Sequence, residues 1–188
     1  MAKQKGVDVT AETCPHYLTL TGEDMIRLGP PAKCSPPLRA ESARQGLLQK
    51  IQEGRIDTIG SDHSPAPGSM KQDSDFFNVW GGIAGCQHLV PLLFSAGLSA
   101  SQIARLTSEN PARRLNLFPT KGTLNVGADA DFILVRRQST PVKESDLLYR
   151  HKISPFIGIN LPVRVERTFL RGSSQPILGK FLTPNPSR

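Results

Sequence analysis

Two alternating apolar runs organise this chain. The runs 7–14 (Val-Asp-Val-Thr-Ala-Glu-Thr-Cys) and 56–61 (Ile-Asp-Thr-Ile-Gly-Ser) are β-branched with a period of two, and each stops in turn formers. Pro15-His16-Tyr17 follows the first, and Asp62-His63-Ser64-Pro65 follows the second. Between them, Leu47, Leu48 and Ile51 recur at helical spacing in a segment 42–53 that halts at Gly54. The order strand, loop, helix, strand predicts a βαβ unit with parallel strands. Ahead of the first strand, Lys3-Gln4-Lys5-Gly6 reads as the last turn and C-cap of a helix. The stretch 29–39 holds two Pro-Pro pairs, which predicts rigid, extended backbone.

The apolar run 89–94 predicts a buried helix, Ser99 a helix N-cap for a segment reaching Leu106, and 111–117 a last short helix. Beyond Phe118-Pro119 the texture becomes β-rich, with alternating runs at 130–135 and 163–170. The expected organisation is therefore an α/β segment 1–116 and a β-rich segment 117–188, whose last residues, Thr183-Pro184-Asn185-Pro186-Ser187-Arg188, read as a frayed tail.

Composition narrows the function classes. With 188 residues the chain can bury a sizeable core. Its formal charge of +7 is scattered in short clusters such as Arg113-Arg114 and Arg136-Arg137, without aromatic interleaving, so no nucleic-acid partner is expected. Cys14, Cys34 and Cys86 are widely spaced, with no C-x-x-C pair, which speaks against a disulfide framework and for a reducing compartment. No apolar run approaches the ~20 residues that span a bilayer, and the first residues carry no apolar signal core. A cytoplasmic location, away from membranes, is the expectation.

The segment ending in Ser61-Asp62-His63-Ser64-Pro65 concentrates the candidate chemistry, because it delivers a carboxylate to the C-terminal tip of a strand, where parallel α/β folds place their sites. Two readings of Asp62 stand side by side: a turn aspartate closing the strand, or a metal ligand or general base. His63, its neighbour on extended backbone, is expected to point away and to serve a structural role. His16 sits at the other strand tip and either lines the same pocket or packs under a loop. Ser35 is in no nucleophile elbow, so its main chain, held by the prolines around it, is the more useful part. Cys34 reads as a buried, inert thiol, and His88 and His151 as structural or solvated. H-x-H, H-E-x-x-H and C-x-x-C are all missing, so spacing supplies one firm ligand where a dinuclear site needs about four to six.

Six co-linear motifs carry a resemblance over essentially the whole chain: the stretches 12–18 (Glu-Thr-Cys-Pro-His-Tyr-Leu), 32–39 (Ala-Lys-Cys-Ser-Pro-Pro-Leu-Arg), 61–65 (Ser-Asp-His-Ser-Pro) and 80–85 (Trp-Gly-Gly-Ile-Ala-Gly), Lys121-Gly122 with 127–131, and 149–156. In this order they resemble the cyclic amidohydrolases of the metal-dependent amidohydrolase superfamily, the allantoinase branch most closely. The resemblance implies an α/β fold, namely the C-terminal part of a TIM-type (β/α) barrel (its last two strands and their helices), followed by the C-terminal share of a small β-sandwich. It implies that the runs 7–14 and 56–61 are the seventh and eighth barrel strands. It makes Asp62 the eighth-strand metal ligand and proton shuttle. It makes Ser35, Gly81, Gly82 and His16 substrate-binding residues. The implied cofactor is divalent metal, most naturally zinc, dinuclear in an intact enzyme; the implied substrate is a hydantoin-type cyclic amide such as allantoin, and a full-length enzyme would be a homo-oligomer.

The family's H-x-H, carboxylated lysine and remaining histidine ligands would all lie upstream of this chain, which is therefore expected to be inactive alone. Hydantoinases typically carry Gln where His16 stands and Asn where Gly81 stands, and dihydroorotases lack the Trp-Gly-Gly-Ile-Ala-Gly pattern, so both departures favour the allantoinase branch over those alternatives. A non-catalytic scaffold relative is the alternative from another class. The intact surroundings of Asp62 weigh against it, and the missing ligands weigh for it.

Overall fold

The computed structural model describes residues 2–175. Strand β1 (Glu12–Thr13) pairs in parallel with β2 (Thr58–Ile59), Glu12 opposite Thr58 and Thr13 opposite Ile59. The parallel pairing expected from the alternating runs is present, but the ladder is shorter than those runs. Val7 and Val9, 54% and 43% exposed, stay outside it, because among the described residues β1 has a strand partner on one side only. Side chains lock the register. The Ala11 N–H donates to Asp57 Oδ2 at 2.7 Å, and Thr58 Oγ1 donates to Glu12 Oε2 at 2.8 Å. Asn110 reaches back to the carbonyl of Asp57 at 2.6 Å and fixes the base of β2.

The crossover between the strands holds three helices. Helix α1 (Pro15–Thr19) starts at once after β1, with Pro15 in the first helical position, where a missing N–H costs nothing. Helix α2 (Gly22–Leu28) is opened by a capping box between Thr21 and Asp24. Neither was evident in the periodicity, for each is two turns or less. Pro30–Ala32 forms a single 3-10 turn within the proline-rich stretch that otherwise stays extended. Helix α3 (Glu41–Gln52) is the one expected from the Leu47, Leu48 and Ile51 spacing. Those residues pack with Leu18, Ile59, Leu93, Leu98, Ile103 and Leu106 into one apolar cluster. Helix α4 (Leu89–Ser95) is buried along Pro91, Leu92 and Leu93. Ser99 caps α5 (Ala100–Ala104) in a box with Gln102, and the chain runs on through a π turn (Arg105–Glu109) into α6 (Asn110–Arg114). Lys3–Lys5 is a 3-10 turn closed by Gly6 in the left-handed region, φ 75°.

The β-rich part is an antiparallel sheet in the order β3 (Phe132–Pro141), β4 (Asn160–Leu170), β5 (Ser173–Gln175). Phe132 and Phe169 face each other across β3 and β4 with rings stacked at 4.4 Å. A second apolar cluster joins this part to the first: Leu20, Cys34, Ile83 and Leu92 pack with Leu147, Tyr149, Phe156 and Leu161. That shared cluster forms the floor beneath the loops that follow β1 and β2. Among the described residues no helix is long and apolar enough to cross a membrane. The expected tail at 183–188 lies outside the described residues.

Candidate metal and substrate site

Asp62 stands just past β2 with φ 46°, in the left-handed region that few non-glycine residues enter and that aspartate tolerates better than most. Across the parallel pair, β1 ends at Thr13, Cys14 follows as the N-cap of α1, and His16 lies in the first turn of that helix. The result brings two strand tips together. His16 Nε2 lies 3.6 Å from Asp62 Oδ2 and 3.1 Å from Cys14 Sγ. The histidine and the cysteine are buried, whereas the Asp62 side chain is 57% exposed and faces solvent.

Burial governs the two inner groups. It pushes the Cys14 thiol up to about 12, with the neighbouring Asp62 charge acting in the same direction. It lowers His16 from its ordinary range, opposed by the same carboxylate. At neutral pH this leaves a protonated thiol against a neutral imidazole, the pair that an S–H···N contact requires.

A second wall comes from the glycine-rich turn. His63 forms a parallel bridge with Ile83, and the Ser64 N–H donates to the Ile83 carbonyl at 2.9 Å. This approach is so close that a Cβ on Gly82 would stand 2.3 Å from Ser64 Oγ, and one on Gly85 would stand 2.7 Å from the Ser61 carbonyl oxygen. His63 turns away from Asp62: its Nδ1 accepts the Gly85 N–H at 3.1 Å, and its ring lies 5.2 Å from that of Tyr149.

The third wall is the proline-rich loop. Gly81 lies directly on Ser35, where a Cβ would sit 3.4 Å from that of the serine, and Ser35 itself is exposed and precedes a cis bond to Pro36. Two lysines tie these loops together. Lys71, 6% exposed, donates to the carbonyls of Pro30 at 3.0 Å, Lys33 at 3.3 Å, Trp80 at 2.9 Å and Gly82 at 2.7 Å. Lys33 donates to the carbonyls of Phe76, Phe77 and Val79. Burial lowers Lys71 to about 8.

Of the residues singled out in the sequence, the structure sets His16 against Asp62 and Gly81 against Ser35, and wedges Gly82 against Ser64. His88 is buried between Tyr149 and Phe156, and Cys34 is buried as expected. Cys14 and Lys71 were not singled out. The Cys-x-His spacing of Cys14 and His16 is a ligand signal that the sequence carried; the role of Lys71 depends on carbonyls from loops far apart in the chain and left no local trace.

Among the described residues, Cys14, His16 and Asp62 are a group able to hold a metal, their ligand atoms all lying within 4.8 Å of one another. Thiolate, imidazole and carboxylate suit zinc and similar ions. The three fit one ion; a dinuclear centre needs further ligands from outside this group.

Comparison with known proteins places this geometry. Residues 2–174 match the Amidohydrolase family. The allantoinase of Rubrobacter xylanophilus is 47% identical over 177 residues, covering 91% of this chain and 39% of that protein. The allantoinase of Deinococcus radiodurans is 48% identical over 181 residues, covering 93% and 39%. Among solved structures, the L-hydantoinase (dihydropyrimidinase) of Arthrobacter aurescens superposes with a TM-score of 0.89 at 32% identity, covering 97% of this chain and 42% of that one. The D-hydantoinase of a Thermus species gives 0.85 at 27% identity, covering 96% and 42%. The chain thus spans about 39% of the length of the curated relatives it matches. Its parallel pair and crossover helices agree with part of a (β/α) barrel, and the group at Asp62 agrees with a family that is generally metal-dependent. The chain belongs to the amidohydrolase family.

Proposed function

We propose that this chain supplies the last two strands of the barrel, and the C-terminal share of the sandwich, of an allantoinase-type cyclic amidohydrolase. The boundary between the two segments falls near residue 116. The enzyme opens the hydantoin ring of allantoin with water to give allantoate, and works in the cytoplasm as a homo-oligomer. The observation that carries the reading is the placement of Asp62, at the carboxyl tip of a parallel strand and opposite His16, in a chain 40–48% identical to several allantoinases. Hydantoinases are the second reading, favoured by the structural neighbours. His16 and Gly81 support the first.

Divalent metal, zinc in this reading, would be held at Asp62 and would supply Lewis acidity and a water acidified towards neutrality. This chain's residues do the rest. The Asp62 carboxylate takes a proton from the attacking water as its oxygen adds to the ring carbonyl carbon. It then gives that proton to the ring nitrogen as the carbon–nitrogen bond breaks, so one water is consumed and a carboxylate and a ureido nitrogen result. Main-chain groups of Ser35 and of the Gly81-Gly82 turn hold the ring. Gly82 suits this role because its backbone is wedged against Ser64 and pinned through its carbonyl to Lys71. His16 lines the inner wall of the pocket.

The test is allantoate formation from allantoin, measured with the chain alone and with the chain in the context of a complete barrel. Turnover is expected in the complete barrel and none in the chain alone. A complete enzyme that opens hydantoin or dihydrouracil faster than allantoin would establish the second reading instead.

A further inference from the structure

The contact between Cys14 and His16 is the feature that the proposed reaction leaves unused. A buried thiol points at the same imidazole nitrogen that faces Asp62, so three donors of different softness converge from three directions. For zinc-like bonds of about 2.3 Å to sulfur and 2.0–2.2 Å to nitrogen and oxygen, tetrahedral ligand atoms stand about 3.4–3.6 Å apart. The observed separations are 3.1 Å for sulfur to nitrogen and 3.6 Å for nitrogen to oxygen. The sulfur and the carboxylate oxygen lie within 4.8 Å of each other, so seating an ion needs side-chain adjustments of up to about an ångström, which the exposed Asp62 side chain can supply by rotation.

We infer that Cys14, His16 and Asp62 form a site for a single thiophilic metal ion, such as zinc or cadmium, which this chain binds by itself with the Cys14 sulfur as one ligand. Cys14 and His16 are buried, and Asp62 is the exposed member, so the ion enters past Asp62 and its fourth position faces solvent. On binding, the thiol proton is released to solvent, and a metal–sulfur bond replaces the S–H bond. The inference needs neither allantoin nor any ligand from outside the chain. It also gives Asp62 a competing occupation, since an ion held by Cys14 and His16 draws the carboxylate inward.

The test is a titration of the reduced, metal-free chain with cobalt(II), followed by absorption. One equivalent is expected to bind with the intense near-ultraviolet sulfur-to-cobalt charge-transfer band and the visible bands of a tetrahedral site, and zinc should displace it. Cys14→Ser should abolish the charge-transfer band, a chain with Cys34→Ser and Cys86→Ser should keep it, and Asp62→Asn or His16→Gln should weaken binding by about tenfold or more. A band that survives Cys14→Ser, a band lost in the double serine variant, or no stoichiometric binding overturns the assignment. Should the Cys14 variant fail to fold, cadmium NMR on the unmodified chain decides: a resonance shifted by one thiolate is expected, and one typical of nitrogen and oxygen ligands alone overturns it. Allantoin turnover in a complete barrel plays no part in this readout, so either idea can fail without the other.

Discussion

His16 Nε2 and Asp62 Oδ2 stand 3.6 Å apart because β1 and β2 are parallel neighbours that end at one level. One partner is buried, the other open to solvent. That asymmetry leaves Asp62 the member of the pair open to water, as the proposed proton shuttle requires. In a complete barrel, Asp62→Asn should lower kcat for allantoin by about 10²–10⁴-fold, the range of a lost general base, while leaving the melting temperature nearly unchanged because the carboxamide matches the carboxylate in shape. Near-normal turnover by a well-folded Asn variant would remove Asp62 from the chemistry.

Gly82 and Gly46 make a matched pair of glycines with opposite expectations. A Cβ at Gly82 meets Ser64 at 2.3 Å from Oγ and 2.7 Å from the backbone oxygen, and the backbone contact leaves no side-chain escape. Gly82→Ala should destabilise by about 1–3 kcal/mol and raise KM where the turn holds substrate. A Cβ at Gly46, inside α3, meets nothing within 4 Å, so Gly46→Ala should stabilise by roughly 0.5–1 kcal/mol. Urea melts of both variants test the pair, and equal effects would refute the packing account.

Much of this arrangement was legible before any coordinates, and the parts that were not have a physical reason. Period-two runs fixed the parallel strands, and the caps at Ser99 and Gly6 fell where expected, because strand alternation and capping are local properties of the chain. Helices α1 and α2 escaped notice because a helix of two turns leaves too few apolar positions to show a period. At the site, Asp62 stood out as an acid ending an apolar run. Cys14 did not: its Cys-x-His spacing with His16 is a short signal, and only the fold aims the thiol at the imidazole nitrogen beside Asp62. Lys71 was invisible for a related reason: its four carbonyl partners come from two loops, and hydrogen bonds to backbone oxygens select no residue type that a sequence could display.

Lys71 nonetheless holds the proline-rich loop and the glycine-rich turn in register. Its ammonium is the shared donor for carbonyls on both sides, and no acidic side chain stands among the partners described above. Lys71→Met keeps the length of the stem and deletes the donor, leaving the carbonyls to find water. The expected cost is about 1–3 kcal/mol, with faster proteolytic cutting in the stretch 68–80. A variant as resistant to protease as the parent would show that Lys33, through Phe76, Phe77 and Val79, is a sufficient tie.

His88 sets an acid limit on stability. It is 5% exposed, packed between Tyr149 and Phe156, and its Nδ1 has no hydrogen-bond partner among the described residues. Burial lowers it to about 4 from an ordinary 6.5, against a smaller opposing pull from Asp146. Between pH 6.5 and 4 the unfolded chain therefore binds more protons than the folded one, so stability is full above 6.5 and declines as pH falls towards 4. A shift of this size corresponds to about 3 kcal/mol across that window. His88→Phe, which keeps an aromatic ring between the same neighbours, should flatten the decline by that amount. A residual slope should remain, because burial also lowers His16 and His63. Urea midpoints measured from pH 7 down to pH 4 for the parent and the variant decide the matter, and parallel curves would mean that His88 takes up its proton without cost to the fold.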